Sequence, residues 1–389
     1  MSRRLSPIVN VAGMSEASEL PISPLAGEMS GRTEGGVKER GATVPSTVLG
    51  AADTLHKSRT RSLSLKRLFK TYLEKPELAG LILLLLLIVL FQVRSHGVFL
   101  NQDNLRGILG ILPEAGLVAI GVTILMISGE FDLSVGSVFA LMPMTMAVLM
   151  VHGAPFPLAL LAGLMVCAAI GFINGYVTIR FAIPSFITTL GMLFMARSLT
   201  VVVSGGFPPL LPADLPNWLF TSFVGPGNMF RMSFLWFVVV AVLTSLMLSR
   251  TNFGNWIKAT GGFLPAAASM GIPTARVKIV CFMLCSVLSG FAGMLQVLRL
   301  GSPLPSIGEG MELQAVASAV IGGASLTGGI GTVMGGIIGT TLIRVIDNGL
   351  VLSHVDANWF KFAIGFLTIF AVVANAWMRK RAKAIKMEG

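Results

Sequence analysis

Gly129-Glu-Phe-Asp-Leu-Ser-Val-Gly136 and Gly322-Gly-Ala-Ser-Leu-Thr-Gly-Gly-Ile-Gly331 are polar, glycine-broken runs set inside segments otherwise apolar enough to lie in a bilayer. In hydrocarbon an unpartnered backbone N–H or C=O costs several kcal/mol, so irregular backbone at membrane depth survives only where protein covers it or a wet cavity lies beside it. The two runs therefore mark candidate sites on a pathway. Within them Glu130, Asp132, Ser134 and Ser325 are the first candidates to meet a polar solute.

The rest of the composition agrees. The 389 residues are 54% hydrophobic and 12% charged, with mean hydropathy +0.81, whereas a soluble domain is about a quarter charged. An all-α, polytopic helical bundle in a membrane is expected. The net charge of +11 could suit nucleic acid, but Lys and Arg cluster beside apolar spans and not on one amphipathic face. That distribution sets membrane topology, and no nucleic-acid partner is expected. Cys167, Cys281 and Cys285 all fall in apolar spans, and His56, His96, His152 and His354 are scattered, so no metal site and no catalytic metal are expected.

Residues 1–75 are rich in Ser, Gly, Pro, Glu and Arg, poor in aromatics and without helical or strand period. They read as a mostly disordered basic segment, with no signal-peptide core before Leu78. Lys57, Arg59, Arg61, Lys66, Arg67 and Lys70 are expected to stay in the cytoplasm against anionic lipid. Residues 76–389 form the transmembrane domain. A crossing needs about 20 residues, and ten apolar runs qualify: 78–96, 105–127, 132–152, 157–179, 183–203, 233–249, 276–298, 311–326, 331–352 and 358–378. The basic run, Arg180, Arg250, Lys258, Arg276, Lys278 and the tail from Arg379 to Lys386 then all fall on one side. By the positive-inside rule both termini are cytoplasmic.

Spans two to five and seven to ten have opposite orientations, which permits an inverted repeat with the pathway near the midplane between its halves. Small residues crowd the fourth span (Ala162, Gly163, Ala168, Ala169, Gly171) and the ninth (Gly335, Gly336, Gly339), where helices are expected to touch.

Four motifs, in order along residues 76–378, carry a resemblance. Gly121–Ser137, Ile173-Asn-Gly with Ile183-Pro-Ser-Phe-Ile-Thr-Thr-Leu-Gly191, the loop Thr251–Ile272, and Gly322–Gly331 with Asn348-Gly-Leu350 resemble the permease subunits of ribose-type ATP-binding-cassette sugar importers. The resemblance implies a permease dimer in the bacterial inner membrane, with separate ATPase subunits below and a periplasmic sugar-binding protein above. It implies no cofactor in this chain, ATP being bound by the partner. In agreement, a phosphate-binding Gly-x-x-x-x-Gly-Lys-Ser/Thr loop is absent, since no Gly-Lys pair occurs.

The loop at about 251–275 is too polar and glycine-rich to insert, yet too apolar for a tether. Pro265 suits the first turn of a short helix, Ala266 to Ala268 sustain it, and Gly271 suits its C-terminal cap. By resemblance it is the coupling loop that plugs into the ATPase, with Gly254, Ala259, Gly261, Ala266, Ala267, Gly271 and Ile272 as its contact residues. An interfacial helix lying on lipid is the alternative. Asn255, Phe263 and Leu264-Pro265 depart from the family's usual basic, Asn and polar residues, which makes the contact more apolar.

Two roles fit Asp132: hydrogen-bond acceptor for a sugar diol, or cap on the helix starting near Leu133, the reading preferred because a helix N-terminus favours an anion. Asn174 and Asn348 suit sugar hydroxyls or bonds between helices. Arg197, Arg344 and Asp347 are too costly to face lipid, and Arg344 and Asp347 sit at pairing distance on one helix. The external segment at about 204–232, dense in Gly and Pro, reads as a docking surface for a soluble partner or a cap on the outer vestibule. The expected function is inward passage of an uncharged carbohydrate, with an ion-gradient-driven transporter as the alternative.

Overall fold

Most helix breaks among the described residues fall at or beside a glycine or proline, and the breaks decide how the apolar runs are cut. The computed structural model describes residues 77–212, 215–356 and 358–387, all within one unit, Ser62–Gly389. The expectations for residues 1–75 fall outside them.

In chain order the helices are α1 (Glu77–Arg94), α2 (Gln102–Ile127), α3 (Val135–Val151), α4 (Phe156–Arg180), α5 (Ser185–Val203), α6 (Asn217–Phe220), α7 (Met232–Arg250), α8 (Asn252–Gly262), α9 (Leu264–Ser269), α10 (Thr274–Leu300), α11 (Met311–Ile321), α12 (Val333–Leu352) and α13 (Asn358–Met387). Between α6 and α7 two short strands, β1 (Phe223–Val224) and β2 (Phe230–Arg231), pair antiparallel. The protein is thus a helical bundle, as expected, with one small hairpin in the 204–232 segment.

Six helices, α2, α4, α5, α7, α10 and α12, are long and apolar enough to cross a membrane. Four shorter apolar stretches are Gly80–Arg94, α3, α11 and Asn358–Val373. The eighth run, expected over 311–326, is helical only over Met311–Ile321. At 1.5 Å per residue that is about 16 Å, roughly half the hydrocarbon thickness. Gly322 and Gly323, the latter at φ +93°, end it.

α2 is buried along most of its length and packs against α7, α10, α11 and α12, while α3 and α4 pack on the other side of α10. Close backbone approach explains these contacts. A methyl group added at Gly171 in α4 would stand 2.6 Å from the Phe282 carbonyl of α10, and one at Gly121 in α2 would stand 3.1 Å from the Cys285 Cα. Without a hydrophobic drive between helices, such contact is what brings them together. Gly335, Gly336 and Gly339 in α12 likewise meet Gly322, Thr123 and Ser318, whereas Ala169 in α4 points outward. The outer faces of α4, α5, α7 and α13 carry large exposed apolar side chains such as Phe172, Phe194, Leu243 and Phe366.

Candidate functional site

The first broken segment runs from Ser128 to Ser134, between α2 and α3. Gly129 turns the chain at φ +90°, and the extended residues after it are held by side chains from three other helices. Glu130 pairs with Lys278 of α10 at 2.5 Å. The Phe131 N–H donates to Ser185 Oγ of α5 at 3.1 Å. Asp132 Oδ1 accepts from the Ser134 N–H at 2.8 Å and from the Ser134 hydroxyl at 2.6 Å. Asn174 of α4 donates through Nδ2 to Ser134 Oγ at 2.9 Å, with Asp132 Oδ2 at 3.5 Å.

This is a turn that closes on itself, a carboxylate bonding two residues ahead. Asp132 meets the N–H of Ser134, the residue immediately before α3, and not an N–H inside that helix. Asp132, Ser134 and Asn174 are 0% exposed, so no solute touches them in this conformation. No ion pair among the described residues includes Asp132, and Asn174 Oδ1 is buried without a partner.

The segment lies deep. Ser289 of α10 donates to the Val135 carbonyl at 2.6 Å, and Ser289 is about 22 Å along a helix about 40 Å long. α3 therefore begins near half the length of α10.

The second broken segment, Gly322 to Thr332, has Gly323, Gly328, Gly329 and Gly331 at φ +93°, +82°, +77° and +153°. Backbone of that kind is open to glycine and strained for most other residues. Ser325 is committed to its own loop: its N–H donates to Ile330 O at 2.8 Å and its hydroxyl meets Thr327 Oγ1 at 2.9 Å. Thr332 starts α12 by accepting from the Gly335 N–H at 3.0 Å, and its hydroxyl bonds Glu77.

Asn348 stands elsewhere, about 22 Å along α12, where it exchanges two amide hydrogen bonds with Asn104 at 2.9 and 2.8 Å. Of the six residues singled out for the pathway, Glu130, Asp132, Ser134 and Asn174 come together, while Ser325 bonds within the neighbouring second segment and Asn348 pairs with Asn104.

Residues 251–275 form two helices joined at Phe263. Thr251 caps α8 by accepting from the Gly254 N–H at 3.2 Å. Pro265 occupies the first turn of the six-residue α9, and Gly271, at φ +80°, follows its C-cap Met270. Gly254 and Ala267 are buried, Ala259, Gly261 and Ile272 half-buried, and Ala266 and Gly271 exposed. The exposed apolar surface comes instead from Phe263 and Leu264, whose apolar character the sequence had marked, and from Met270, which it had not, at 66%, 43% and 79%.

The end of α8 reaches both broken segments. Gly329 N–H donates to the Ile127 carbonyl at 2.8 Å. A methyl group on Gly261 would overlap that carbonyl and stand 2.7 Å from Gly329 N, and one on Gly328 would stand 2.8 Å from the Gly129 Cα and 2.7 Å from Gly261 O. Three glycine-containing backbones therefore touch with no side chain between them.

Two further ion pairs lie among the described residues. Arg299 forks onto Glu114 at 2.7 and 3.0 Å, and Arg344 meets Asp347 at 3.5 Å, as the spacing predicted. In the 204–232 segment, Arg106 and Arg231 both lie against the Phe223 ring, 4.2 and 4.4 Å from its centre. Among the described residues no group of three or more His, Cys, Asp or Glu side chains could hold a metal ion.

A bundle with six helices fit to cross a membrane and two unwound segments packed among them defines a multi-pass membrane protein of the transporter class. Residues 104–372 match the family described as "Branched-chain amino acid transport system / permease component", and the chain belongs to that family. It is therefore a permease component, a transport subunit and not an enzyme. It is 32% identical over 323 residues to the ribose import permease protein of Escherichia coli K12, covering 81% of this chain and 98% of the relative. It is 31% identical over 313 residues to the autoinducer 2 import system permease protein of Photorhabdus luminescens, covering 78% and 90%. To "Probable ABC transporter permease protein YphD" of E. coli K12 it is 30% identical over 337 residues, covering 86% and 99%. No solved structure matches the chain.

Proposed function

We propose that this permease forms half of the pore of an ATP-binding-cassette importer that carries a sugar or sugar alcohol across the bacterial inner membrane. ATP is bound and hydrolysed by a separate ATPase subunit, and the cargo is delivered by a periplasmic binding protein that docks on the 204–232 segment. The permease needs no cofactor of its own. Ribose and autoinducer 2 in the names of its relatives support a carbohydrate cargo.

The carrying observation is the path from the exposed apolar knob of Phe263, Leu264 and Met270, through Gly261, to Ile127 and Gly329. A surface suited to an ATPase groove is joined by backbone alone to both broken segments. Family membership disfavours the ion-gradient alternative.

The bundle is read as ten crossings with both termini cytoplasmic, the helix α11 covering only part of the eighth. Support for an inverted repeat lies in two similar units. α2 (26 residues) is followed by a short link and the shorter α3 (17 residues), and α10 (27 residues) by a short link and the shorter α11 (11 residues). The exposed apolar faces of α4, α5 and α13 suit lipid and a second copy of the chain.

The deciding experiment is uptake into vesicles holding the permease with its ATPase and binding protein. Accumulation that requires all three and ATP is expected. Accumulation by the permease alone, driven by a proton or sodium gradient, would refute the proposal.

A further inference from the structure

The two shorter helices α3 and α11 begin near one place. Gly308, in the link before α11, packs on the first turn of α3 so closely that a methyl group on it would stand 2.5 Å from the Gly136 carbonyl oxygen. Arg197 of α5 ties this meeting point together. Its Nη1 donates to Pro305 O at 2.5 Å and Ile307 O at 2.9 Å, and its Nη2 to Gly136 O at 3.2 Å. Those three bonds leave one Nη2 hydrogen and the Nε hydrogen uncommitted.

Glu312, in the first turn of α11, lies over Gly136, where any side chain would overlap its Oε2. Arg197 feels the charges of Glu309 and Glu312, yet Glu312 takes part in no hydrogen bond or ion pair among the described residues. It is half-buried, close to the level at which α3 starts. A carboxylate partly withdrawn from water without a donor is costly. Asp132, four residues before Gly136, is sealed from solute; Glu312 is half-exposed.

We propose that Glu312, with Arg197 beside it, contacts sugar hydroxyls between the starts of α3 and α11. The carboxylate accepts hydrogen bonds from neighbouring hydroxyls, and the uncommitted N–H groups of Arg197 donate to a hydroxyl oxygen. Two half-helix N-termini converging on a polar solute are a recurrent way to build a midplane site. The proposal rests on the reading of the chain as a sugar permease. The competing account is that Glu312 only complements the positive end of α11. In that case neutralising it would lower the amount of folded protein and leave the function of each surviving complex intact.

The test uses the permease reconstituted with its ATPase and binding protein in vesicles, and D-ribose, D-xylose, L-arabinose, D-galactose, ribitol and D-mannitol as probes. In Glu312→Gln the sugar delivered per ATP hydrolysed should fall about tenfold or more, the worth of a lost charge-assisted hydrogen bond. The amount of assembled complex and the affinity of the binding protein should stay unchanged. An unchanged delivery per ATP, or a fall in transport matched by the fall in assembled complex, would overturn the site. If Glu312→Gln does not assemble, Glu312→Asp is read the same way. Failure of both to assemble would make the carboxylate structural and overturn the proposal. A wild-type complex that accumulates none of the six probes would instead refute the sugar reading itself.

Discussion

Replacing Gly261 with alanine should unlock the junction of the three backbones. The added methyl group overlaps the Ile127 carbonyl and stands 2.7 Å from Gly329 N, so the chains must part by about 1.5 Å to restore ordinary contact. Overpacking of this kind costs about 1–3 kcal/mol. The same displacement breaks the Gly329 N–H bond to Ile127 O, and a buried donor left unpaired costs about 1–3 kcal/mol more. Gly261 lies inside α8, so the helix itself gains about 1 kcal/mol from alanine. The net loss is about 1–5 kcal/mol, or a fall of about 2–10 °C in thermal midpoint. Gly191→Ala in α5 is the control: nothing lies within 4 Å of its added carbon, and it should leave the midpoint unchanged or raise it. Thermal unfolding of the detergent-purified permease, followed by size-exclusion chromatography, measures both. A Gly261→Ala protein that melts with or above the Gly191→Ala protein would refute the close approach.

Lys278→Met should strand Glu130, whose side chain is 13% exposed, at a cost of about 1–3 kcal/mol. Glu130→Gln in the same chain should recover most of it, and simple addition of the two single losses in thermal unfolding would count against the pair. Asp132→Asn turns an acceptor at Oδ2 into a donor facing the donating amide of Asn174, so folded yield should drop more than cargo selectivity shifts. Normal yield with altered selectivity would favour direct contact with substrate. Gly271→Arg places a side chain at φ +80° in open space, at a strain of about 1–2 kcal/mol. It should insert normally but fail to hold the ATPase subunit, and undiminished co-purification would sink the coupling assignment.

Hydropathy exposed the apolar runs, and clustered glycines exposed both breaks, because each signal is local. Pairing of Asp132 with Ser134, two residues apart, was likewise open to a reader of the sequence. The partners of Asn348 and Arg197 were not: Asn104 lies 244 residues from Asn348, and the carbonyls on Arg197 belong to a link more than a hundred residues on. Residue chemistry named Ser325 and Asn348 as candidates, but which way each faces depends on packing with no local trace. The short α11 was missed because hydropathy counts apolar residues and is blind to where a helix starts. Gly308 and Gly310, at φ +77° and +76°, were the available sign of the link before it. On α8 the buried positions Gly254, Ile257 and Thr260 recur every three residues. That spacing marks the face turned inward and could have separated buried glycines from exposed contact residues.

The use of glycine at the junction bears on how force would travel in the proposed importer. Contacts between long side chains absorb a small displacement by rotamer change, since exposed side chains hop freely. Backbone against backbone has no such slack, and packed interiors are stiff. A shift of α8 by a fraction of an ångström would therefore arrive at Ile127 and Gly329 almost undiminished. Ile127 is the last residue of α2, and Gly329 lies four residues before α12. The same push would reach the segment that leads to Asp132 and the loop that leads to α12. Lys278, on the helix that follows the 251–275 loop, holds Glu130 of the first segment directly and supplies a second link from the loop. Movement of the loop would then be felt at both breaks together, which is the requirement for opening one side of a pathway while closing the other.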